Sequence, residues 1–202
     1  MSLISDTRGD KFQKKTLWIV LLNAVSTAMM LTGVNVALPA IADDLSVGAS
    51  TLSWIPMSYL ISSAIFVLIF GQLADIFGRK KLFLLGTLGV VVSSIYASVA
   101  TDVQTLILGR IFQGVCAGML YSTMFALLSS VYPTDRRGLA FGYAVSAVYL
   151  GLSLGPFVAG WMIDILSWRS AFLLQLPLSF FVLYIGVVEI KTEWKAKKKI
   201  FF

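Results

Sequence analysis

The sequence predicts an all-α membrane protein with six transmembrane helices. Of its 202 residues, 58% are hydrophobic and 13% are charged, and the mean hydropathy is +0.87. A soluble domain carries about 25% charged residues, so an ordinary water-soluble enzyme or regulator is excluded. The apolar residues fall in six runs, each long enough for a spanning helix of about 20 residues. Six such helices leave no room for a second domain.

The six runs set the boundaries of the predicted helices. The spans cover residues 17–40, 52–74, 82–101, 104–130, 140–163 and 170–190. Residues 1–16 form a tail before them, and residues 191–202 form a basic tail after them. The first span is too long, and too poorly flanked by small-residue cleavage sites, for a removable signal peptide. It is therefore expected to remain as a membrane helix.

The distribution of Lys and Arg predicts how the helices are oriented. The net charge is +6, and all but two of the 16 Lys and Arg residues lie in the two tails and in the loops after spans 2 and 4. Loops rich in Lys and Arg stay on the cytoplasmic side, so both termini are predicted to be cytoplasmic in a multi-pass plasma-membrane protein. Because these cations flank membrane spans, they indicate topology rather than nucleic-acid binding, and no nucleic acid partner is expected.

The residue types that carry most enzymatic chemistry are missing from the sequence. It contains no histidine, and its single cysteine, Cys116, lies inside an apolar run, so no internal disulfide or thiolate metal cluster is predicted. There is no G-x-x-x-x-G-K-[ST] nucleotide-binding loop, no Ser/His/Asp set and no paired carboxylates. The sequence therefore predicts neither an enzyme nor a bound metal or cofactor.

A charged hinge joins spans 2 and 3. It reads Gly71-Gln-Leu-Ala-Asp75-Ile-Phe-Gly78-Arg79-Lys80-Lys81. Asp75 ends one helix and cations open the next, so Asp75 is expected to pair with Arg79; a positive-inside loop with a helix cap would look similar. The spacing resembles the signature G-x-L-a-D-r-x-G-r-k of the major facilitator superfamily of secondary transporters, with Ile76 in place of the first arginine.

Span 4 contains an intramembrane arginine. The run reads Arg110-Ile-Phe-Gln113-Gly114-Val-Cys-Ala-Gly118. An arginine inside a span is costly unless it faces a bundle interior or a water-filled cavity. The run resembles the R-x-x-q-G signature of the same superfamily, which links the arginine to proton coupling. Arg110 and Asn35 lie at similar depths, so we expect them to meet as a polar centre whose charge faces the transport pathway.

Span 5 carries a stripe of small residues. Its members are Gly151, Gly155 and Ala159, and the longer motif also includes Gly142, Pro156 and Gly160. Small residues at every fourth position let another helix pack closely, and Pro156 removes a backbone hydrogen bond. A structural packing seam would look similar. The pattern resembles the motif that marks drug–proton antiporters within the superfamily, and the seam is expected to contact a second half of the transporter.

Together these motifs resemble one six-helix half of a major facilitator transporter from the fourteen-span multidrug-efflux branch. The resemblance implies a 3+3 inverted repeat and a second half of six or eight helices, or a homodimer partner, that completes a site near the membrane midplane. It implies export of small drug-like compounds in exchange for protons by alternating access. The alternatives are a major facilitator transporter of a small metabolite, and a non-transporting fragment or assembly subunit.

The sequence departs from the branch in two respects. The branch has an aspartate five residues before the asparagine of the Asn35-Val-Ala-Leu-Pro39 run, and here that position is Met30. The proton-loading carboxylate is therefore expected to be Asp164 or to come from another chain segment. The sequence also stops after one half, and its basic tail resembles a linker to a further span. This indicates a truncated or split transporter; a complete six-span protein that dimerises is the alternative.

Overall fold

The computed structural model describes residues 3–188, with side chains from residue 12 onward, and all regular structure in this range is helical. The helices are α1 (Leu3–Leu45), α2 (Ala49–Phe77), α3 (Arg79–Ser98), α4 (Val103–Val131), α5 (Arg137–Ile165), α6 (Ser170–Leu173) and α7 (Leu176–Val188). The short α6 and α7 together make the sixth crossing. The described residues contain six helical stretches that are long and apolar enough to cross a membrane. The predicted fold class, an all-α six-span protein, is confirmed.

Two closely packed helix pairs organise the bundle. Helix α1 packs mainly on α5 and α2 mainly on α4, while α3 lies against α4, and α7 lies against α1 and α3. Glycine allows the close approach at these contacts. At Gly118 of α4, an added Cβ would lie 3.0 Å from the α2 backbone at Phe66 and Val67. The pairing places α1, α4 and α5 around a common cavity.

Buried side chains form one cluster toward each end of the bundle. One includes Ile41, at the end of α1, and Phe172 of α6. The other includes Phe83, at the start of α3, and Leu128, near the end of α4. Helices α2 and α5 are the least buried of the six crossings, so their outer faces are apolar surfaces suited to lipid or to further helices.

Some helix boundaries differ from the predicted spans. Helix α1 begins at Leu3, so most of the predicted N-terminal tail continues the first helix. Helix α3 ends at Ser98, three residues before the predicted boundary at 101. Helix α4 begins at Val103. The Asp102 side chain caps it by accepting a 2.8 Å hydrogen bond from the Thr105 N–H. The last two residues of the predicted sixth span and the tail at 191–202 lie outside the described residues.

The sixth crossing is interrupted at Leu174 and Gln175, where a continuous helix is predicted. Pro177, in the first turn of α7, lacks the N–H that would bond to the Leu173 carbonyl in a continuous helix. The interruption lets the fully buried Gln175 side chain donate to Ser94 Oγ on α3. A polar side chain thus enters the interior within an otherwise largely apolar span.

Candidate transport site

A cavity of about 180 Å³ lies between α1, α4 and α5. Its lining comprises Asn23, Ala24, Thr27, Ala28, Leu31, Leu120, Tyr121, Met124, Val148 and Leu152. Most of these side chains are apolar, and a few place a polar atom at the edge. An apolar cavity with a small number of placed polar groups is the usual character of a site for small organic molecules.

Hydrogen bonds inside the bundle hold the polar side chains that α1 places at the edge of the cavity. The Asn23 amide Nδ2 donates to Thr87 Oγ1 on α3 at 3.3 Å, and Thr27 Oγ1 donates to Asn23 Oδ1 at 3.4 Å. Asn23, Thr27 and Thr87 are all buried. These bonds fix the orientation of the Asn23 amide at the cavity. No motif in the sequence marks Asn23.

Arg110 is fully buried on α4, confirming that it faces the bundle interior. Its Nε donates to the Ile55 carbonyl at 3.2 Å, and its Nη1 donates to Gln113 Oε1 at 2.5 Å and contacts Met30 Sδ at 3.3 Å. Its Nη2 has no hydrogen-bond partner among the described residues. Every acceptor is neutral, so within this part of the chain the guanidinium is held without a carboxylate.

The expected contact between Arg110 and Asn35 is wrong. The Asn35 side chain is exposed, and Arg110 meets α1 at Met30 instead. Residues five apart on a helix are rotated by about 140°, so Asn35 and Met30 lie on different faces of α1. Similar depth does not bring two side chains together when their helices turn them to different faces. Arg110 is not among the residues that line the cavity.

Two tyrosines connect Arg110 to the cavity. The Arg110 guanidinium carbon lies 4.3 Å from the centroid of the Tyr59 ring on α2, a cation–π distance. The Tyr59 hydroxyl lies 2.9 Å from the hydroxyl of Tyr121 on α4, and Tyr121 lines the cavity. No motif in the sequence marks Tyr121. The available signal was a hydroxyl-bearing side chain in the apolar span that contains Arg110.

A chain of amide and hydroxyl groups also supports Arg110 through Gln113. Gln113, which accepts from Arg110, donates through Nε2 to Ser94 Oγ on α3 at 2.6 Å. Ser94 Oγ also accepts from Gln175 in the sixth crossing. Gln113 therefore lies in the interior beside Arg110. Gly114, next to it, faces α2, where an added Cβ would lie 3.2 Å from Ser62 Cβ.

An ion pair and hydrogen bonds of Arg79 hold the hinge between α2 and α3. Arg79 Nη2 and Nε donate to Asp75 Oδ1 at 2.9 and 3.0 Å, which confirms the predicted pair. Arg79 Nη1 also donates to Ser130 Oγ at 2.7 Å and to the Ala126 carbonyl at 3.1 Å, both on α4. Gly78 makes the turn with φ 110°, a conformation that favours glycine. The hinge is thereby tied to the end of α4.

Two other members of the hinge motif have less distinct roles. An added Cβ at Gly71 would meet nothing within 4 Å, so no contact among the described residues requires glycine there. Lys80 is half-buried at the start of α3. Neither residue joins the hydrogen bonds that connect Arg79 to α4.

The glycine stripe on α5 packs against α1 inside this bundle. An added Cβ at Gly155 would lie 2.6 Å from the Met29 carbonyl oxygen, and one at Gly151 would lie 2.8 Å from Ala28 Cβ. Ala159 continues the stripe, and an added Cβ at Gly33 would lie 2.9 Å from it. The expectation that this seam contacts a second half is wrong: small residues predict a close neighbour but do not identify it.

The remaining members of the span 5 motif lie off the seam. Pro156 is exposed on the outer side of α5. An added Cβ at Gly142 would meet nothing within 4 Å, and one at Gly160 would meet Val36 only at 4.0 Å. Close packing therefore explains Gly151 and Gly155 and does not explain Gly142 or Gly160.

The far end of the bundle is held by a second carboxylate–arginine pair. Asp44, at the end of α1, accepts from Trp168 Nε1 at 2.9 Å and from Arg169 Nη1 at 3.1 Å. Arg169 also donates to the Ala100 carbonyl at 3.1 Å and stacks on the Trp168 ring at 4.2 Å. These contacts join α1, the α3–α4 loop and the sixth crossing.

Six apolar crossings, an interior cation and a cavity shared by three helices describe a multi-pass membrane protein. The family model for the Major Facilitator Superfamily matches residues 20–200, so the chain belongs to that superfamily of transporters. The fold agrees: the crystal structure of peptide transporter POT in complex with sulfate superposes with a TM-score of 0.75 at 20% identity. That match covers 88% of this chain and 37% of the other.

Three relatives of this chain are named as transporters or export proteins. The probable actinorhodin transporter of Streptomyces coelicolor is 35% identical over 82% of this chain and 29% of that protein. The multidrug export protein EmrB of Haemophilus influenzae is 34% identical over 75% and 30% of the two chains, and the riboflavin transporter RibZ of Clostridioides difficile is 30% identical over 86% and 39%. The chain thus spans well under half the length of each of these relatives.

Proposed function

We propose that the chain is the N-terminal half of a multidrug efflux transporter of the plasma membrane, which exchanges drug-like compounds for protons by alternating access. The observation that carries this proposal is the apolar cavity, linked through Tyr121 and Tyr59 to buried Arg110. Similarity to export proteins, including EmrB of Haemophilus influenzae, supports the direction of transport. The positions of Lys and Arg support cytoplasmic termini.

The cavity suits amphipathic aromatic compounds. Leu31, Leu120 and Met124 offer apolar contact without strict direction, and methionine adapts its shape to different partners. Asn23 and Tyr121 supply hydrogen-bonding groups at the edge. The volume of about 180 Å³ is below the ~300–1,000 Å³ of a complete ligand site. This supports a second half, or a second copy of the chain, as the source of the remaining wall.

Arg110 supplies a fixed positive charge for coupling, because a guanidinium is not deprotonated in proteins. Asp164, the candidate proton-loading carboxylate of this chain, is exposed near the end of α5 and does not line the cavity. We therefore assign proton loading to a carboxylate of the second half or of the substrate. Arg110 stabilises the ionised form of that group and so helps to set when the proton leaves.

The hinge has a separate proposed role in alternating access. Asp75 remains about half exposed while it pairs with Arg79, so one face of the pair is open to a neighbour. We assign that neighbour to a helix of the second half, which the hinge holds in one state of the cycle. The ties from Arg79 to α4 then transmit this contact to a wall of the cavity.

The test is transport by the full-length transporter that contains this chain, reconstituted in liposomes with an imposed pH gradient and a fluorescent drug. Gradient-driven accumulation is expected. Leu152→Trp should block it by filling the cavity, whereas Leu150→Trp, two residues away on an exposed position of the same helix, should not. No response to the gradient would contradict proton exchange. Equal effects of both tryptophans would contradict the assigned cavity.

A heteroaromatic metabolite is the second candidate substrate class. The riboflavin transporter of Clostridioides difficile is among the relatives, and the fixed Asn23 amide could orient a polar heterocycle. A competition experiment decides between the two substrate classes. A metabolite carrier would be favoured if riboflavin abolished drug transport at low concentration and unrelated drugs were hardly transported.

Co-expression of this chain with and without the second half separates a transporter half from a non-transporting fragment.

A further inference from the structure

Two tyrosine hydroxyls meet at the edge of the transport cavity, and their hydrogen bond can run in either direction. The hydroxyl oxygens of Tyr59 and Tyr121 are 2.9 Å apart, and either one can be the donor. A tyrosine hydroxyl has one hydrogen to donate, and its oxygen can also accept. The direction of this bond therefore decides which of the two hydroxyls keeps a hydrogen for a further partner.

Burial differs sharply between the two tyrosines. Tyr59 is fully buried on α2, whereas Tyr121 is 37% exposed and lines the cavity. Within the described part of the chain, the Tyr59 hydroxyl has no hydrogen-bond partner other than Tyr121. If Tyr121 donated, the Tyr59 hydrogen would be buried without an acceptor, which is costly. If Tyr59 donates, the Tyr121 hydrogen is left at the cavity, where a ligand can accept it.

The charge of Arg110 favours the same direction. Its guanidinium carbon lies 4.3 Å from the centroid of the Tyr59 ring, where a cation attracts the electron density of the ring. A phenol that shares its electron density with a cation is a stronger hydrogen-bond donor and a weaker acceptor. Because hydrogen bonds in series polarise one another, a donating Tyr59 also strengthens Tyr121 as a donor.

The other polar side chains that line the cavity already bond to neighbours. Thr27 donates its hydroxyl hydrogen to Asn23 Oδ1, and Asn23 Nδ2 donates to Thr87 Oγ1. Asn23 and Thr27 are also buried. Tyr121 is therefore the polar lining residue that is both exposed and left with a hydroxyl hydrogen to donate.

We propose that Tyr121 determines ligand specificity by donating a hydrogen bond to an acceptor oxygen of the ligand, with Tyr59 and Arg110 setting the direction. The preferred ligands are aromatic compounds with a carbonyl oxygen at one edge, whose apolar body packs against Leu120 and Met124. This inference rests on the proposed transport of drug-like compounds and narrows their class. Compounds of the same shape that lack the acceptor bind more weakly.

A matched pair of ligands tests the role of Tyr121. Fluorenone and fluorene share a planar tricyclic frame, and of the two only fluorenone carries a carbonyl. Each competes with the fluorescent drug for transport by the full-length protein in liposomes, which gives an inhibition constant. In Tyr121→Phe the constant for fluorenone should rise about fivefold, in line with the loss of one hydrogen bond between neutral groups. The constant for fluorene should stay the same.

Two further variants make the result specific. Tyr121→Phe leaves the Tyr59 hydroxyl buried without its partner, so the double variant Tyr59→Phe/Tyr121→Phe removes both hydroxyls and should show the same loss for fluorenone. Tyr149→Phe removes a hydroxyl from an exposed position of α5 that does not line the cavity. It should change neither constant.

Equal changes for the two compounds in the Tyr121 variants would overturn the inference, because they would show a structural role for the hydroxyl pair. So would an unchanged constant for fluorenone, or a parent protein that fluorenone does not inhibit. Failure of the proposed function is a different result, namely drug transport that Leu152→Trp does not block.

Discussion

Arg79 and Arg169 lie at opposite ends of the bundle and each meets a carboxylate, whereas Arg110 lies inside it and meets only neutral acceptors. The two end pairs are partly exposed, and such pairs contribute about 0–1 kcal/mol. Their clear effect is geometric, since each arginine also bonds to a carbonyl of another segment. Arg110 cannot reach water, so each acceptor that it loses should be costly. The difference separates two arginines that connect segments at the ends of the bundle from one that neutral acceptors hold in its interior.

The largest expected effect comes from Arg110→Lys. Lysine keeps the charge but loses the planar fork that reaches Ile55 and Gln113 at once. We expect a folded, inserted full-length transporter whose transport is lost or whose pH profile is shifted, measured as drug efflux from liposomes over a pH series. Arg136→Lys, at an exposed position just before α5, is the matched control. An unaltered pH profile in the Arg110 variant would remove the coupling role and leave a structural one.

Gln113→Ala should give the next largest effect. It removes the 2.5 Å acceptor of Arg110 Nη1 and leaves buried polar groups without a partner, which costs about 1–3 kcal/mol. Thermal unfolding in detergent, followed by tryptophan fluorescence, measures the loss. Gln104→Ala, at an exposed position of the same helix, should change the midpoint little. Equal midpoints for the two variants would show that Arg110 has other support.

Asp75→Asn should change stability by at most about 1 kcal/mol, because the pair is partly exposed. Arg79 keeps its bonds to Ser130 and Ala126, so the hinge should stay folded. Transport by the full-length protein should nevertheless slow, since the contact proposed for the second half loses its charge. Asp135→Asn, in an exposed pair with Arg136, is the control. Wild-type transport in the Asp75 variant would reduce the motif to a topology signal.

Asp102 gives the smallest expected effect, seen as a pH dependence. Hydrogen bonds from the Thr105 N–H and hydroxyl hold the pKa of Asp102 below its usual 3.8. A lowered pKa means that the stabilisation is present above pH 3.8 and is lost as pH falls through the folded-state value. Asn also caps helices, so Asp102→Asn should unfold with a weaker dependence on acid pH than the parent chain. Identical acid profiles would contradict the capping role.

The sequence predicts features that depend on neighbours along the chain. The six crossings follow from apolar runs, and the Asp75–Arg79 pair follows because residues four apart share a helix face. Burial of Arg110 follows from the energy of a charge in lipid. Each prediction uses only composition or short spacing.

Features that depend on helix rotation were beyond sequence patterns. The Tyr59–Tyr121 contact joins residues 62 positions apart, and nothing local connects them. The Asn35 and span 5 predictions failed for the same reason, because depth and small size do not determine which helix a side chain faces. The interruption at Gln175 was partly visible, since Pro177 signals a missing hydrogen bond.

The seam between α1 and α5 has a consequence for how the cavity adapts. With backbone against backbone at Gly151 and Gly155, the two helices have no side-chain layer that could rearrange, so they behave as one stiff wall. For the proposed transport of several compounds, adjustment to ligand shape would then fall to α4, which contributes Tyr121 and the flexible Met124 to the cavity. The stiff wall and the adaptable wall lie on opposite sides of the same cavity.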